Sequence, residues 1–174
     1  FNKKFWNPFK ECLFDIVEGK EEKDPACRPN QLFSISLDYP VLNQEYWIPV
    51  VLITQNELLT PYGLRTLARE HPSFKEVYLG SLYDRDLAYH QGTIWTWLLG
   101  PYVDAWIRVF PEKHEEIAYL LRDCLKHLDE SCIGTVNEIF DSFAPHMHRG
   151  CVAQAWSVAE LLRSLAKISK LHKI

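Results

Sequence analysis

The sequence predicts an all-α protein whose helices stack in two concentric layers, and three stretches predict it. Ile94 to Phe110 is apolar on nearly every side, broken only by a thin polar row of Thr96, Asp104 and Arg108. A helix that is apolar all round is a buried one. A tight turn at Pro111 then leads into Glu112 to Glu130. There Ile117, Leu120, Leu121, Cys124, Leu125 and Leu128 share one face, opposite Glu115, Glu116, Arg122, Asp123 and Lys126. Cys151 to Lys170 repeats the amphipathic pattern with Val158, Leu161, Leu162, Leu165 and Ile168. A buried helix joined by a short turn to a half-exposed one puts the first in an inner layer and the second in an outer layer, as in a toroid of helical hairpins.

The remaining elements follow in chain order. Cys12 to Val17 alternates weakly and reads as a short strand, so one β-hairpin is expected near it. Glu18 to Asn30, with Lys20, Glu21, Glu22, Lys23, Asp24 and two prolines, reads as an exposed loop. Gln44 to Leu59 reads as a helix with Asn43 as its N-cap and Pro49 early in its course. Gly100 and Pro101 are expected to kink the buried helix, because Pro101 has no N–H for the carbonyl of Trp97. Pro111 stands at a helix N1 position. Arg65 to Gln91 and Thr135 to Arg149 read as long loops, and loops of such length in a compact domain carry function.

Composition narrows the class. The 174 residues suit one compact piece and are enough to bury about 70% of the unfolded surface. A net charge of −4, without charge blocks, argues against nucleic acid or an anionic membrane as a partner. The longest apolar run, Trp47 to Ile53, falls far short of the ~20 residues a bilayer requires. Five cysteines without a CxxC pair disfavour a disulfide framework or a four-cysteine zinc site and fit a reduced, cytoplasmic setting. The chain opens on Phe1, without an apolar run after Lys3 and Lys4, so it is read as a piece cut from a longer protein.

Polar and aromatic residues gather in three clusters. The first holds Arg28, Asn30 and Gln31. The second, Arg65 to Gln91, holds His71, Tyr78, Tyr83, Asp84, Arg85, Asp86, Tyr89, His90 and Gln91, with Trp95 and Trp97 beside it. The third holds Asn137, Glu138, Asp141, His146, His148 and Arg149. Flat rings with polar edges, beside directional hydrogen-bonding groups, suit a sugar with apolar C–H faces and a rim of hydroxyls. Trp106 and Trp156 are expected in the core, while Trp95 and Trp97 are as easily core as site. His146-x-His148-x-x-Cys151 has part of a zinc pattern but no obvious fourth ligand, so no metal and no other cofactor is expected. Glu138 is the sharpest candidate for proton chemistry, because a carboxylate between Val136 and Ile139–Phe140 is partly desolvated; a surface Glu or a cap partner fits its spacing equally well.

These clusters resemble the C-terminal part of the glycogen debranching enzymes, in their amylo-α-1,6-glucosidase domain. The carrying stretches are RPNQLFSISL (Arg28 to Leu37), ELLTPYGLRTL (Glu57 to Leu67), RDLAYHQGTIWTWLLGPYVDAW (Arg85 to Trp106), GTVNEIFD (Gly134 to Asp141) and HRGCVAQAWSVAELLR (His148 to Arg163). Five blocks in order, from about Phe1 to Arg163, make the resemblance specific.

The resemblance implies about half of an (α/α)6 barrel, with its N-terminal portion outside this chain. It implies hydrolysis of α-1,6-glucosidic branch stubs of glycogen or limit dextrin with inversion, which needs an acid and a base carboxyl ~6.5–9.5 Å apart. By the same matching Glu138 is the general base and the acid lies upstream. Arg28, Asn30, Gln31, Arg65, Tyr89, His90, Gln91, Trp95, Trp97 and Asp141 are implied to bind or support the sugar, and Gln154 and Trp156 to line or brace it. Leu87, Thr96, Ser142 and His148 depart from the family pattern of Gly, Pro, Gly and Pro. The chain alone is expected to be inactive and to self-associate through uncovered barrel flanks. A non-catalytic carbohydrate-binding or regulatory relative is the alternative, and a helical interaction module a third reading.

Overall fold

The structure, a computed structural model, describes residues 1–19, 22–131 and 133–171. Lys20 and Glu21 of the expected loop, and Cys132, lie outside the described residues. A one-turn helix α1 (Asn2–Phe5) precedes two hairpins, β1 (Trp6–Asn7) with β2 (Cys12–Leu13) and β3 (Ile16–Gly19) with β4 (Glu22–Asp24). The expected single strand at Cys12 to Val17 is thus split between two hairpins, with Phe14 and Asp15 between them. A 3₁₀ turn at Pro29–Leu32 runs into α2 (Phe33–Ser36). Another at Gln44–Tyr46 runs into α3 (Trp47–Leu58). Asn43 makes no side-chain cap bond there, contrary to expectation; its amide reaches Glu45 Oε1 at 3.3 Å instead.

The chain then forms β5 (Leu59–Thr60) and β6 (Gly63–Arg65), α4 (Leu82–Ala88), β7 (Ile94–Trp95), α5 (Leu99–Val109), α6 (His114–Leu125), β8 (Ile139–Phe140), β9 (His148–Arg149) and α7 (Ala155–Leu171). The segment 65–91 is therefore not all loop. α4 is closed by a capping box, in which Ser81 Oγ accepts from the Asp84 amide and Asp84 accepts from the Ser81 amide.

Helix α5 is the centre of the packing. It contacts α2, α3, α6 and α7, and Leu99, Tyr102, Val103, Ala105 and Trp106 are buried. α2, α3, α6 and α7 all pack on α5, and α6 also packs on α7, so the buried helix is surrounded by the half-exposed ones, as the patterning predicted. The helix is shorter than its apolar stretch, because Ile94 and Trp95 are drawn into a strand and Thr96–Leu98 is a 3₁₀ turn. Gly100 and Pro101 consequently fall in the first turn of α5, where a missing N–H costs nothing, and not at an interior kink. Gly100 also lets α7 close in, since a Cβ there would lie 1.6 Å from Glu160 Oε2.

The strands β5 to β9 form one antiparallel sheet in chain order. Leu64 pairs with Trp95, Trp95 with Ile139, and Phe140 with His148. Strands of two or three residues give no period-2 signature, so this sheet exceeds the one short hairpin expected. Its effect is to bring the 59–65, 94–95, 139–140 and 148–149 segments side by side.

Candidate active site

Glu138 immediately precedes β8. Its amide donates to the Cys151 carbonyl at 2.9 Å, which fixes its backbone against the segment after β9. The half-buried carboxylate is gripped at both oxygens. Oε1 accepts from the Tyr89 hydroxyl and from Gln154 Nε2 at 3.2 Å, and Oε2 accepts from the Cys151 amide at 2.9 Å. Burial and the neighbouring carboxylate push the Tyr89 phenol far above its ordinary pKa, so it stays a neutral donor. Gly150 makes room for this arrangement. Its φ is +68°, and a Cβ built there would stand 2.3 Å from Glu138 Oε2.

Beside this carboxylate lies a cavity of about 270 Å³, whose lining includes Arg28, Asn30, His90, Trp95, Trp97 and Trp156. Its aromatic rings are ordered. His90 stacks on Trp95 with centroids 5.3 Å apart at 13°, and Tyr89 meets Trp95 edge-on at 5.0 Å. Trp97 stacks on Trp156 at 4.9 Å and 25°, and Trp95 meets Trp156 edge-on at 5.8 Å. Burial, reinforced by the Arg28 charge, lowers the His90 pKa, with Glu138 opposing. Apolar ring faces with a few converging polar groups are the usual make-up of a small-molecule site.

A family model described as amylo-alpha-1,6-glucosidase matches residues 1–163. The chain belongs to the amylo-α-1,6-glucosidase family. It is 26% identical over 166 residues to the glycogen debranching enzyme of Saccharomyces cerevisiae (strain ATCC 204508 / S288c), a match that covers 83% of this chain and 11% of that protein. The chain thus spans about a tenth of the length of this relative. The structure is similar to a GH63 mannosylglycerate hydrolase from Thermus thermophilus in complex with Tris. The TM-score is 0.61 at 14% identity, covering 95% of this chain and 35% of the other. That likeness carries the fold, a helix-rich part of an (α/α)6 barrel with a small added sheet. The relatives are glycoside hydrolases.

Within this chain the sequence-predicted residues divide. Arg28, Asn30, His90, Trp95 and Trp97 meet at the cavity, and Tyr89 links it to Glu138. Gln91 stands behind the wall, its Oε1 accepting from Arg28 Nη2 at 2.7 Å. Gln31 is buried, accepting from the Leu13 amide at 3.3 Å and donating to the Arg28 carbonyl at 3.1 Å. Arg65 grips Ser142 through Nε to Oγ at 2.9 Å and Nη2 to the carbonyl at 3.1 Å. Asp141 accepts from Arg149 at 2.8 and 3.0 Å and from the Tyr78 amide at 2.8 Å. Gln31, Arg65 and Asp141 are thus committed to the protein's own loops.

Trp156 departs from its expected core position. It is 46% exposed and forms part of the cavity wall. The residues of the partial zinc pattern have separate partners, although the rings of His146 and His148 both lie against Tyr62. His146 Nδ1 lies 3.0 Å from the Asp141 carbonyl, His148 packs on Phe140, and Cys151 is exposed. Among the described residues no group of three or more His, Cys, Asp or Glu is placed to hold a metal ion, and no helix is long and apolar enough to cross a membrane. Asp15 and Gly150 had not been singled out. The signal for Gly150 lay in its place beside Cys151, opposite Glu138; nothing in the sequence marked Asp15.

Proposed function

We propose that this chain is the C-terminal part of a glycogen-debranching-type glucosidase, in which Glu138 is the general base for inverting hydrolysis of α-1,6-glucosidic linkages. One observation carries the reading: a carboxylate gripped by three donors beside a cavity walled with tryptophan and imidazole rings. Oε1 already accepts two hydrogen bonds and Oε2 only one, so Oε2 keeps acceptor capacity for a water. That water loses a proton to Glu138 as it attacks the anomeric carbon, and a second carboxyl protonates the departing O6 of the branch-point glucose. Neither Glu138 nor any other carboxylate is among the described residues lining the cavity; Glu138 stands behind the wall, joined to it through Tyr89, and on this reading the acid comes from another segment of the barrel. The substrate is an α-glucan, glycogen or its limit dextrin, in the cytoplasm.

Glu138→Gln in the intact enzyme is expected to lower glucose release from limit dextrin about 10²- to 10⁴-fold. Wild-type turnover should give β-glucose first, as read by proton NMR before mutarotation. A variant with wild-type rate, or α-glucose as first product, overturns the assignment. The isolated chain is expected to bind glucose without hydrolysing branch linkages, and to self-associate through exposed residues such as Leu37, Val41 and Ile48.

A further inference from the structure

Arg28 lines the sugar-sized cavity, yet its guanidinium is turned to the protein. Nη1 donates to the Thr66 carbonyl at 3.1 Å and to the His90 carbonyl at 2.8 Å, and Nη2 donates to Gln91 Oε1 at 2.7 Å. Nε faces Asp15 Oδ2 at 3.2 Å. Asp15 Oδ1 in turn accepts from Asn30 Nδ2 at 3.0 Å. The two side chains of the ion pair are 16% and 15% exposed. Asp15 itself lines a second, mostly apolar cavity of about 290 Å³, which shares Arg28 and Asn30 with the first. The pair therefore stands in the partition between two cavities, with the anion on the far side from His90, Trp95 and Trp97.

We propose that Asp15 is a positioning residue for the sugar site: it orients Arg28 and Asn30, and through Arg28 it holds the His90–Gln91 backbone so that the imidazole lies flat on Trp95. The proposal rests on the glucosidase reading for what occupies the cavity, but the placement of His90 is testable without a ligand. An arginine fork turned by one carboxylate fixes three acceptors at once, which an ammonium on a flexible stem does not. Gln91 and His90 are thereby fixed by a residue more than seventy positions earlier in the chain. Asp15 touches no bound sugar in this scheme, and its effect on binding is wholly indirect.

The test reads two quantities on the folded chain. The first is the ring-proton shift of His90, assigned by its loss in His90→Gln, which the Trp95 face moves upfield. Asp15→Asn is expected to return that resonance toward the position of a free histidine. The second is glucose affinity by NMR titration, expected to weaken about tenfold in Asp15→Asn. In the intact enzyme the same variant should raise KM with kcat little changed, the mark of lost binding rather than lost chemistry. Should Asp15→Asn fold poorly, Arg28→Lys keeps the charge and removes the fork, and the same two losses are expected. The double variant should be no worse than Arg28→Lys alone. An unmoved His90 resonance, or unchanged glucose affinity, in a folded Asp15→Asn chain overturns the proposal. A wild-type chain with the shifted His90 resonance but no glucose binding sinks the sugar reading and leaves the positioning of His90 supported.

Discussion

Two arginine–aspartate pairs flank the candidate site, and they work at different ranges. Arg149 and Asp141 belong to one hairpin. Both Nε and Nη2 of Arg149 reach Asp141 Oδ2, and the carboxylate's other oxygen takes the Tyr78 amide. Arg28 and Asp15 join four separate segments, through Thr66, His90, Gln91 and Asn30. The first pair secures the far end of the two-residue strand that Glu138 precedes. The second secures the wall against which a sugar would lie. On the proposed reading the same two residue types would support the chemistry in one place and the binding in the other.

Removing the more buried carboxylate should separate these roles most sharply. The Asp141 side chain is 7% exposed, and its loss strands the Arg149 charge and the Tyr78 N–H. Asp141→Ala is expected to destabilise the chain by about 3 kcal/mol, measured by urea unfolding. The same truncation at Asp15, whose partner keeps three other acceptors, should cost clearly less. Equal losses at the two sites would mean that the pairs are structurally equivalent and would break the contrast.

A smaller effect is expected from Gly150, which lies on the Arg149 side. Gly150→Ala brings both a strained φ and a Cβ against Glu138 Oε2. The carboxylate has to move, and a displacement of about an ångström costs about 100-fold in rate. In the intact enzyme, kcat should fall while glucose affinity stays near the wild-type value, because the cavity wall is held from the other side. A fall in affinity of the same size would show that the two regions are not separable.

The difference between the two pairs also explains what could be read from the sequence. The burial of α5 was legible because an all-apolar helix needs no knowledge of its partners. Glu138, His90 and Trp95 were picked out through the resemblance and not through spacing, since a surface Glu or a cap partner fits the spacing of Glu138 equally well and Trp95 is as easily core as site. The capping box of α4 was equally available in Ser81-x-x-Asp84, but the density of tyrosines and charges around it read as loop. The Asp15–Arg28 pair was not legible, since its members lie in a turn between hairpins and before a 3₁₀ turn, and nothing periodic connects them. The β5–β9 sheet escaped for a related reason: its two- and three-residue strands are defined by cross-strand pairing that only the folded chain supplies. Trp156 departs from the core position its residue type suggests and is one of the cavity-lining residues, as the resemblance implied.

The smallest expected effect is in pH, and it touches both regions. Burial lowers the pKa of His90 and of His148, with the Arg28 charge assisting at the first and the Glu130 carboxylate opposing at the second. A histidine whose folded pKa lies below its unfolded value of about 6.5 binds fewer protons folded than unfolded near that pH. The stability associated with the neutral ring is therefore fully present above about pH 6.5 and is lost as pH falls through the lower folded value. The urea midpoint of the chain should accordingly decline between pH 7.5 and 5.5. His90→Gln and His148→Gln should each flatten part of that decline. Only His90→Gln should also remove the pH dependence of glucose affinity, because only His90 faces the cavity. A pH-dependent affinity that survives His90→Gln and vanishes in His148→Gln would reverse the division, making the hairpin side the one that senses the ligand.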